Sequence, residues 1–360
     1  MNWSKRPDSI VHQDDPYNAE PTPQALDGHL LTPLDTFYSR NHGPIPTLDP
    51  DRWRLRVDGL VKHSLDLSLA ALQRRYPIRT MVATLQYAGA RRVDLMDVRE
   101  IPGEAPWGPG ATSTAEWTGV ALCDVLADAG LQSGAEHVAF EAPDSSQIAN
   151  PPQTYGSSIS IPKATSPEVL LAWGMNGQAL PAAHGAPVRV VVPGYIGARS
   201  VKWVSRITAQ TEPSSNYFQA TAYRLLPAEA DPSTAGPGDG LSLSSVALNC
   251  DILSPADGAV LPAGPSLVSG YAYAGDDRSV VRVDLSTDDG SSWQQADLTY
   301  SGPWAWSLWR ASLQLPVGTS RITVRAWDST GATQPERAAA LWNPKGYINN
   351  AWGHITITSY

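Results

Sequence analysis

The stretch Ile78-Arg79-Thr80-Met81-Val82-Ala83-Thr84-Leu85-Gln86-Tyr87-Ala88-Gly89-Ala90-Arg91-Arg92 runs from an apolar, β-branched segment into small residues closed by two arginines. Its first nine residues predict a buried strand, Ile78 to Gln86, that ends in a loop at Tyr87. Just before it, Ser68 is placed to cap a short helix through Leu69, Leu72 and Arg75, which Pro77 stops. Further on, Glu136 to Glu141 and Val188 to Val192 read as strands. Each is expected to empty into a Pro- or Gly-bearing loop, Ala142-Pro143-Asp144 and Pro193 to Arg199. Strand ends that feed glycine-bearing loops are a common way to build a site, because glycine lets backbone amides approach a ligand.

The segment Pro227 to Gly240 is too rich in Pro and Gly to hold regular structure and divides two unlike regions. After it, Leu267 to Tyr273, Val280 to Ser286, Ser307 to Leu315 and Ser320 to Trp327 largely alternate apolar with polar or small residues. Turn clusters such as Gly275-Asp276-Asp277 and Asp288-Asp289-Gly290 separate them, the spacing of an immunoglobulin-like β-sandwich. The expected organisation is an α+β domain over 1–240, with an N-terminal extension over 1–18, and an immunoglobulin-like domain over 241–360.

At 360 residues two cores are the natural arrangement. Net charge is −9, with no Lys/Arg-rich run, so neither nucleic acid nor an anionic membrane is expected as a partner. The polar N-terminus has no apolar targeting core or twin-arginine pair, which gives a cytoplasmic expectation. Cys123, in the helical pattern Val120 to Ala127 ended by Gly130, and Cys250, in a strand-like run, form no ligand cluster and are expected as small core residues.

The segment Thr84 to Arg92 resembles the signature of the sulfite oxidase family of molybdenum enzymes. So do Phe37-Tyr38-Ser39-Arg40-Asn41-His42-Gly43-Pro44-Ile45-Pro46, Tyr155-Gly156-Ser157-Ser158-Ile159, Leu180 to Arg189, Gly194 to Trp203 and Trp342 to Trp352. The joint order of these motifs is far more specific than any one of them. The resemblance implies a molybdopterin-binding domain followed by a dimerisation domain, hence a homodimer, with no haem in this chain and an external electron acceptor. It further implies that His42, His184, Arg189, Ser200 and Lys202 cradle the cofactor. Arg40 and one of Arg91 and Arg92 would hold a substrate oxyanion, Tyr155 would donate a hydrogen bond beside the metal, and Lys345 would reach in from the second domain where sulfite-oxidising members commonly have arginine. Lysine keeps the charge but loses the bidentate fork. Independently of the family, Arg189 interrupts an apolar strand, where an unpaired charge is costly, and so points to an anionic partner.

Tyr87 stands where the family usually has the cysteine that binds the metal, and Ala90 where it has asparagine. A phenol is harder, bulkier and longer in reach than a thiolate. Tyr87 either ligates the metal in place of that cysteine, packs beside the cofactor or hydrogen-bonds a substrate. The expected function is a molybdopterin oxidoreductase acting on a substrate other than sulfite, such as a small organic molecule. The alternatives are a catalytically silent dimeric cofactor- or ligand-binding protein and a sulfite oxidase proper.

Overall fold

The computed structural model describes residues 3–360. The N-terminal half is built on two sheets. In the first, Ile78–Gln86, Thr112–Ala121 and Leu170–Met175 lie side by side and antiparallel. Gln178–Ala179 and Arg189–Val191 both pair with Leu170–Met175. The second sheet runs Leu65–Ser68, Arg54–Gly59, Arg206–Gln210, His137–Ser146 and Gln153–Ser160, with a parallel pairing only between Arg54–Gly59 and Arg206–Gln210.

Local chemistry sets the short helices. Ser68 Oγ accepts from the amide of Ala71 at 3.1 Å and starts the helix Leu69–Arg75. Tyr76, which precedes Pro77, is extended and ends it. In Leu122–Ala129 the residues Leu122, Val125, Leu126 and Ala129 face the core, and Gly130 closes the helix in the left-handed conformation at φ 72°. Cys123 lies on the outer side of this helix and is half-buried, so it departs from the expected core position, whereas Cys250 is fully buried.

The C-terminal half is a β-sandwich. Its four-stranded sheet orders Asn249–Ser254, Gly264–Tyr273, Ser307–Leu315 and Asp297–Tyr300. The facing five-stranded sheet orders Val260–Leu261, Gly353–Ser359, Gly318–Asp328, Val280–Ser286 and Gln294–Gln295. Alternate residues of Ser307–Leu315 and Gly353–Ser359 point inward onto a core that includes Cys250, Val283, Trp309, Ile322 and Ile357. Pro227 to Gly240 carries neither helix nor strand.

Three features differ from the sequence reading. The strand His137–Ser146 continues through Ala142-Pro143-Asp144, where a loop was expected. Its register shifts between Glu141 and Ser145, and this bulge accommodates Pro143 and leaves Asp144 buried. The polar N-terminus is folded onto the domain: Ile10–Gln13 pairs with Asn18–Glu20, and Lys5 is buried. Finally, the first core does not stop at the Pro/Gly segment, since Leu243, Tyr271, Tyr273, Trp306 and Tyr347 pack into it.

Candidate functional site

The loop end of Ile78–Gln86 meets an extended segment, Tyr38 to His42, which the amide of Tyr38 ties to Ser113 Oγ at 3.3 Å. Gly43 lets this segment cross the bulge, because a side chain there would run into the Ser145 carbonyl. Together with the short 3₁₀ turn Gly197–Arg199, these elements line a cavity whose charged groups are Arg40, Arg189, Lys202 and Asp144, with His42 and His184 beside them.

The cations are buried or half-buried and poorly offset. Arg189 is 4% exposed and donates to the carbonyls of His184 at 2.9 Å and Ser200 at 3.0 Å, with its guanidinium 5.0 Å from the Trp117 ring centre. No carboxylate among the described residues pairs with it, and burial pulls its pKa down to about 10. Lys202 donates to the Ala183 carbonyl at 3.1 Å and contacts Asn41 Oδ1. Burial, then the charge of Arg189, drives its pKa well below the ordinary lysine value, against the pull of Asp144. Asp144 itself is raised to about 7 by burial, with Lys202 opposing, and its Oδ1 has no hydrogen-bond partner.

The histidines are held neutral. His42 Nε2 meets the Tyr223 hydroxyl at 2.7 Å and its ring stacks on Tyr155 at 4.7 Å. His184 Nε2 receives a bond from Lys5 Nζ at 2.7 Å, while Lys5 also donates to the carbonyls of Leu34 and Phe37. Burial and neighbouring cations push both imidazoles well below their ordinary pKa. A cluster of cations without ion-pair partners, beside an orphaned carboxylate oxygen, fits a ligand that is both anionic and rich in N–H groups. A phosphate-bearing pterin has both features, so the residues present fit molybdopterin.

A second cleft, of about 420 Å³, adjoins the first. Arg40, His42, Tyr87 and Tyr223 line both spaces, so Tyr87 stands at their junction. Its ring is 4% exposed, packs on Trp107 at 5.1 Å, and lies 5.3 Å from the Arg40 and 5.5 Å from the Arg92 guanidinium. Burial raises the phenol's pKa, but the charges of Arg92 and Arg40 outweigh it and the net shift is below the ordinary value. Gly89 is required for this packing, because a Cβ there would sit 2.6 Å from Tyr87 Cε1 and from Arg92 Nη2.

The paired arginines go separate ways. Arg92 points into the second cleft, bonded to the Lys345 and Ala105 carbonyls at 3.1 Å each and to Glu104 at 3.2 Å. Arg91 takes a left-handed backbone, φ 59°, and turns away from both spaces. It binds Asp94 and Asp251 at 2.9 Å each, Asn249 Oδ1 at 2.9 Å and the Ala351 carbonyl at 2.8 Å. The expectation that placed Arg91 with the catalytic group is corrected: it clamps the two halves together. Lys345 does reach the cleft from the second half, 4.0 Å from Glu104.

Ser200, expected in the cradle, and Tyr155, expected to donate beside the metal, are engaged locally. The Ser200 hydroxyl accepts from the Val192 amide at 3.0 Å. Tyr155 lines the first cavity, but its hydroxyl donates to the Ala198 carbonyl at 2.7 Å. The tyrosine hydroxyl beside Arg40 and Tyr87 belongs instead to Tyr223, which follows a five-residue π-helical turn, Phe218–Ala222. The sequence reading missed Tyr223, Tyr347, Glu104, Asp144 and Lys5. Asp144 carried a signal in its place after a strand, and Tyr347 one in the motif of the second half; the others sit in segments without periodicity.

Residues 42–218 match the family model for the oxidoreductase molybdopterin binding domain, and residues 242–360 that for the Mo-co oxidoreductase dimerisation domain. Mitochondrial sulfite oxidase of Mus musculus is 39% identical over 365 aligned positions, covering 98% of this chain, which spans 66% of that protein's length. Sulfite oxidase of Arabidopsis thaliana is 34% identical over 98% of this chain and 94% of its own. Nitrate reductase [NAD(P)H] of Hordeum vulgare is 35% identical over 99% of this chain and 42% of its own. Among solved structures, the sulfane dehydrogenase SoxCD from Paracoccus pantotrophus superposes with a TM-score of 0.81 at 26% identity, over 97% of this chain and 86% of that one. With its cation-lined cavity and this breadth of similarity, the chain belongs to the sulfite oxidase family.

Proposed function

We propose that this chain is an oxidoreductase that anchors molybdopterin at the cations of the first cavity, a space of about 60 Å³ beyond which the group must extend, and acts, as a homodimer, on a substrate other than sulfite that enters through the second cleft. The observation that carries the reading is the convergence of buried Arg189 and half-buried Arg40 and Lys202 on one cavity with Asp144 as its sole carboxylate. When bound, molybdopterin supplies two-electron chemistry at its metal, with electrons passed to an external acceptor. The chain's own residues then have distinct tasks. Arg189 and Lys202 neutralise the phosphate, neutral His42 and His184 offer imidazole nitrogens, and Asp144 accepts from pterin N–H groups. Arg40 and Arg92 hold an anionic substrate group at the Tyr87 ring, and Tyr223 fixes His42.

The similarity to sulfite oxidases and the matched dimerisation domain support this reading, while the substrate assignment rests on Tyr87 and Lys345. A second reading, a dimeric cofactor-binding protein without turnover, is favoured by one observation. Neither Cys123 nor Cys250 lines either space, so no thiolate of this chain faces the cofactor. Metal analysis and oxidised-pterin fluorescence on protein from a molybdopterin-producing host decide between them. Near-equimolar pterin and molybdenum support the oxidoreductase, pterin without metal favours the silent binder, and absence of both sinks the cofactor assignment.

A further inference from the structure

The second cleft is built for more than a small oxyanion. Its volume of about 420 Å³ lies in the range of roughly 300–1,000 Å³ typical of sites for organic ligands. A four-atom anion such as sulfite fills only a fraction of it. The floor and the mouth also differ in chemistry. Arg92, Tyr87, Tyr223 and Tyr347 form a deeply buried floor, joined by Arg40, which no carboxylate among the described residues pairs. Trp107 and Phe218, each at most 2% exposed, and half-buried Tyr217 form an aromatic wall, and Ile148, 64% exposed, stands at the mouth with Gln13 and Lys345. Glu104, 3.2 Å from Arg92 and 4.0 Å from Lys345, partly neutralises both and leaves Arg40 as the lining cation without a carboxylate partner among the described residues. Positive charge outweighs negative in the cleft, and aromatic surface runs alongside it.

We propose that this cleft binds an aromatic organic acid, with its anionic head at Arg40 and Arg92 beside the Tyr87 ring and its flat body along Trp107, Phe218 and Ile148. The assignment deepens the oxidoreductase reading and rests on it for the meaning of the cleft as a substrate entrance. Aromatic faces add affinity for such a body by desolvation and ring packing. The guanidinium groups supply charge and directed N–H donors for a carboxylate or sulfonate head. A cationic amine of the same shape meets repulsion at the floor.

The test is calorimetric and fluorescence titration of the purified full chain with phenylacetate, sulfate and benzylamine, none of which requires turnover. Phenylacetate is expected to bind about tenfold or more tightly than sulfate, with benzylamine weaker than both. Ile148→Asn is expected to weaken phenylacetate about fivefold and to leave sulfate unchanged, whereas Lys345→Gln weakens both anions alike. Both positions are at the rim, so neither variant threatens the fold. Sulfate binding as tightly as phenylacetate, equal affinity for benzylamine, no binding of any probe, or an Ile148→Asn variant that changes nothing would each overturn the proposal. Pterin content measured on the same sample separates the two claims. Pterin present without discrimination between the anions sinks only the organic-acid assignment, and selective binding by a pterin-free chain sinks only the cofactor reading.

Discussion

Arg92 Nη2 donates to the Tyr87 hydroxyl at 3.3 Å, across the boundary between the two spaces. The same guanidinium binds the backbone of Lys345 in the C-terminal half, so the phenol at the heart of the site is positioned partly by the second half of the chain. Tyr87 is therefore held from outside its own loop. The groups around it that are ionisable or carry charge include Arg40, Arg92, Glu104, Tyr223 and Tyr347.

Tyr87→Phe keeps the ring on Trp107 and removes only the oxygen that Arg92 binds. We expect a stability loss of about 1 kcal/mol, read by urea denaturation, and an unchanged metal-to-pterin ratio if the phenol is not a metal ligand. A large fall in that ratio at constant pterin would show that the phenol oxygen ligates.

Lys202→Met is expected to act in opposite directions on two readouts. Removing a half-buried amine that forms no ion pair among the described residues should leave the cofactor-free chain as stable or more stable by about 1–2 kcal/mol, while pterin content falls. Loss of pterin together with gross destabilisation would instead assign Lys202 a structural role.

Arg91→Ala leaves Asp251 buried and opens the clamp between the halves. The expected cost is about 3–5 kcal/mol by urea denaturation. A variant of normal stability would contradict the clamp.

Asp144 gives the cofactor-free chain a defined pH response. Its pKa rises from 3.8 to about 7 on folding, so between these values the folded chain holds a proton that the unfolded chain has released. Stability is greatest below the lower value and falls as pH rises through the window, at up to about 1.4 kcal/mol per unit. Asp144→Asn should flatten this part of the stability–pH curve. An unchanged curve would show that Asp144 does not carry it.

Gly89→Ala tests the packing at the junction. With Tyr87 Cε1 and Arg92 Nη2 each 2.6 Å from the new methyl group, both side chains must move. A loss of about 1–3 kcal/mol is expected, with weaker binding of anions at the second cleft.

Much of this architecture follows from local sequence rules. The Ser68 cap, the stop before Pro77, the strand Ile78–Gln86, the helix closed by Gly130 and the alternating strands of the second half each depend on residues a few positions apart. The strand through Ala142-Pro143-Asp144 was not legible, because a proline there marks a loop unless a bulge absorbs it, and the bulge is set by pairing with Gln153–Ser160.

The sequence by itself determined the family, the order of elements and most of the cavity's cations, because short-range pattern and motif order survive in one dimension. Only the tertiary structure decided how those residues are used. It sent Arg92 into the cleft and Arg91 into the clamp, although the two are adjacent in the chain and chemically identical. It also brought Tyr223, Glu104 and Lys5 to the site from segments with no pattern of their own, and Tyr347 from a motif in the second half. The physical reason is that burial, field and hydrogen-bond competition depend on neighbours distant in sequence. A buried charge is assigned its role by whichever partners the fold places around it.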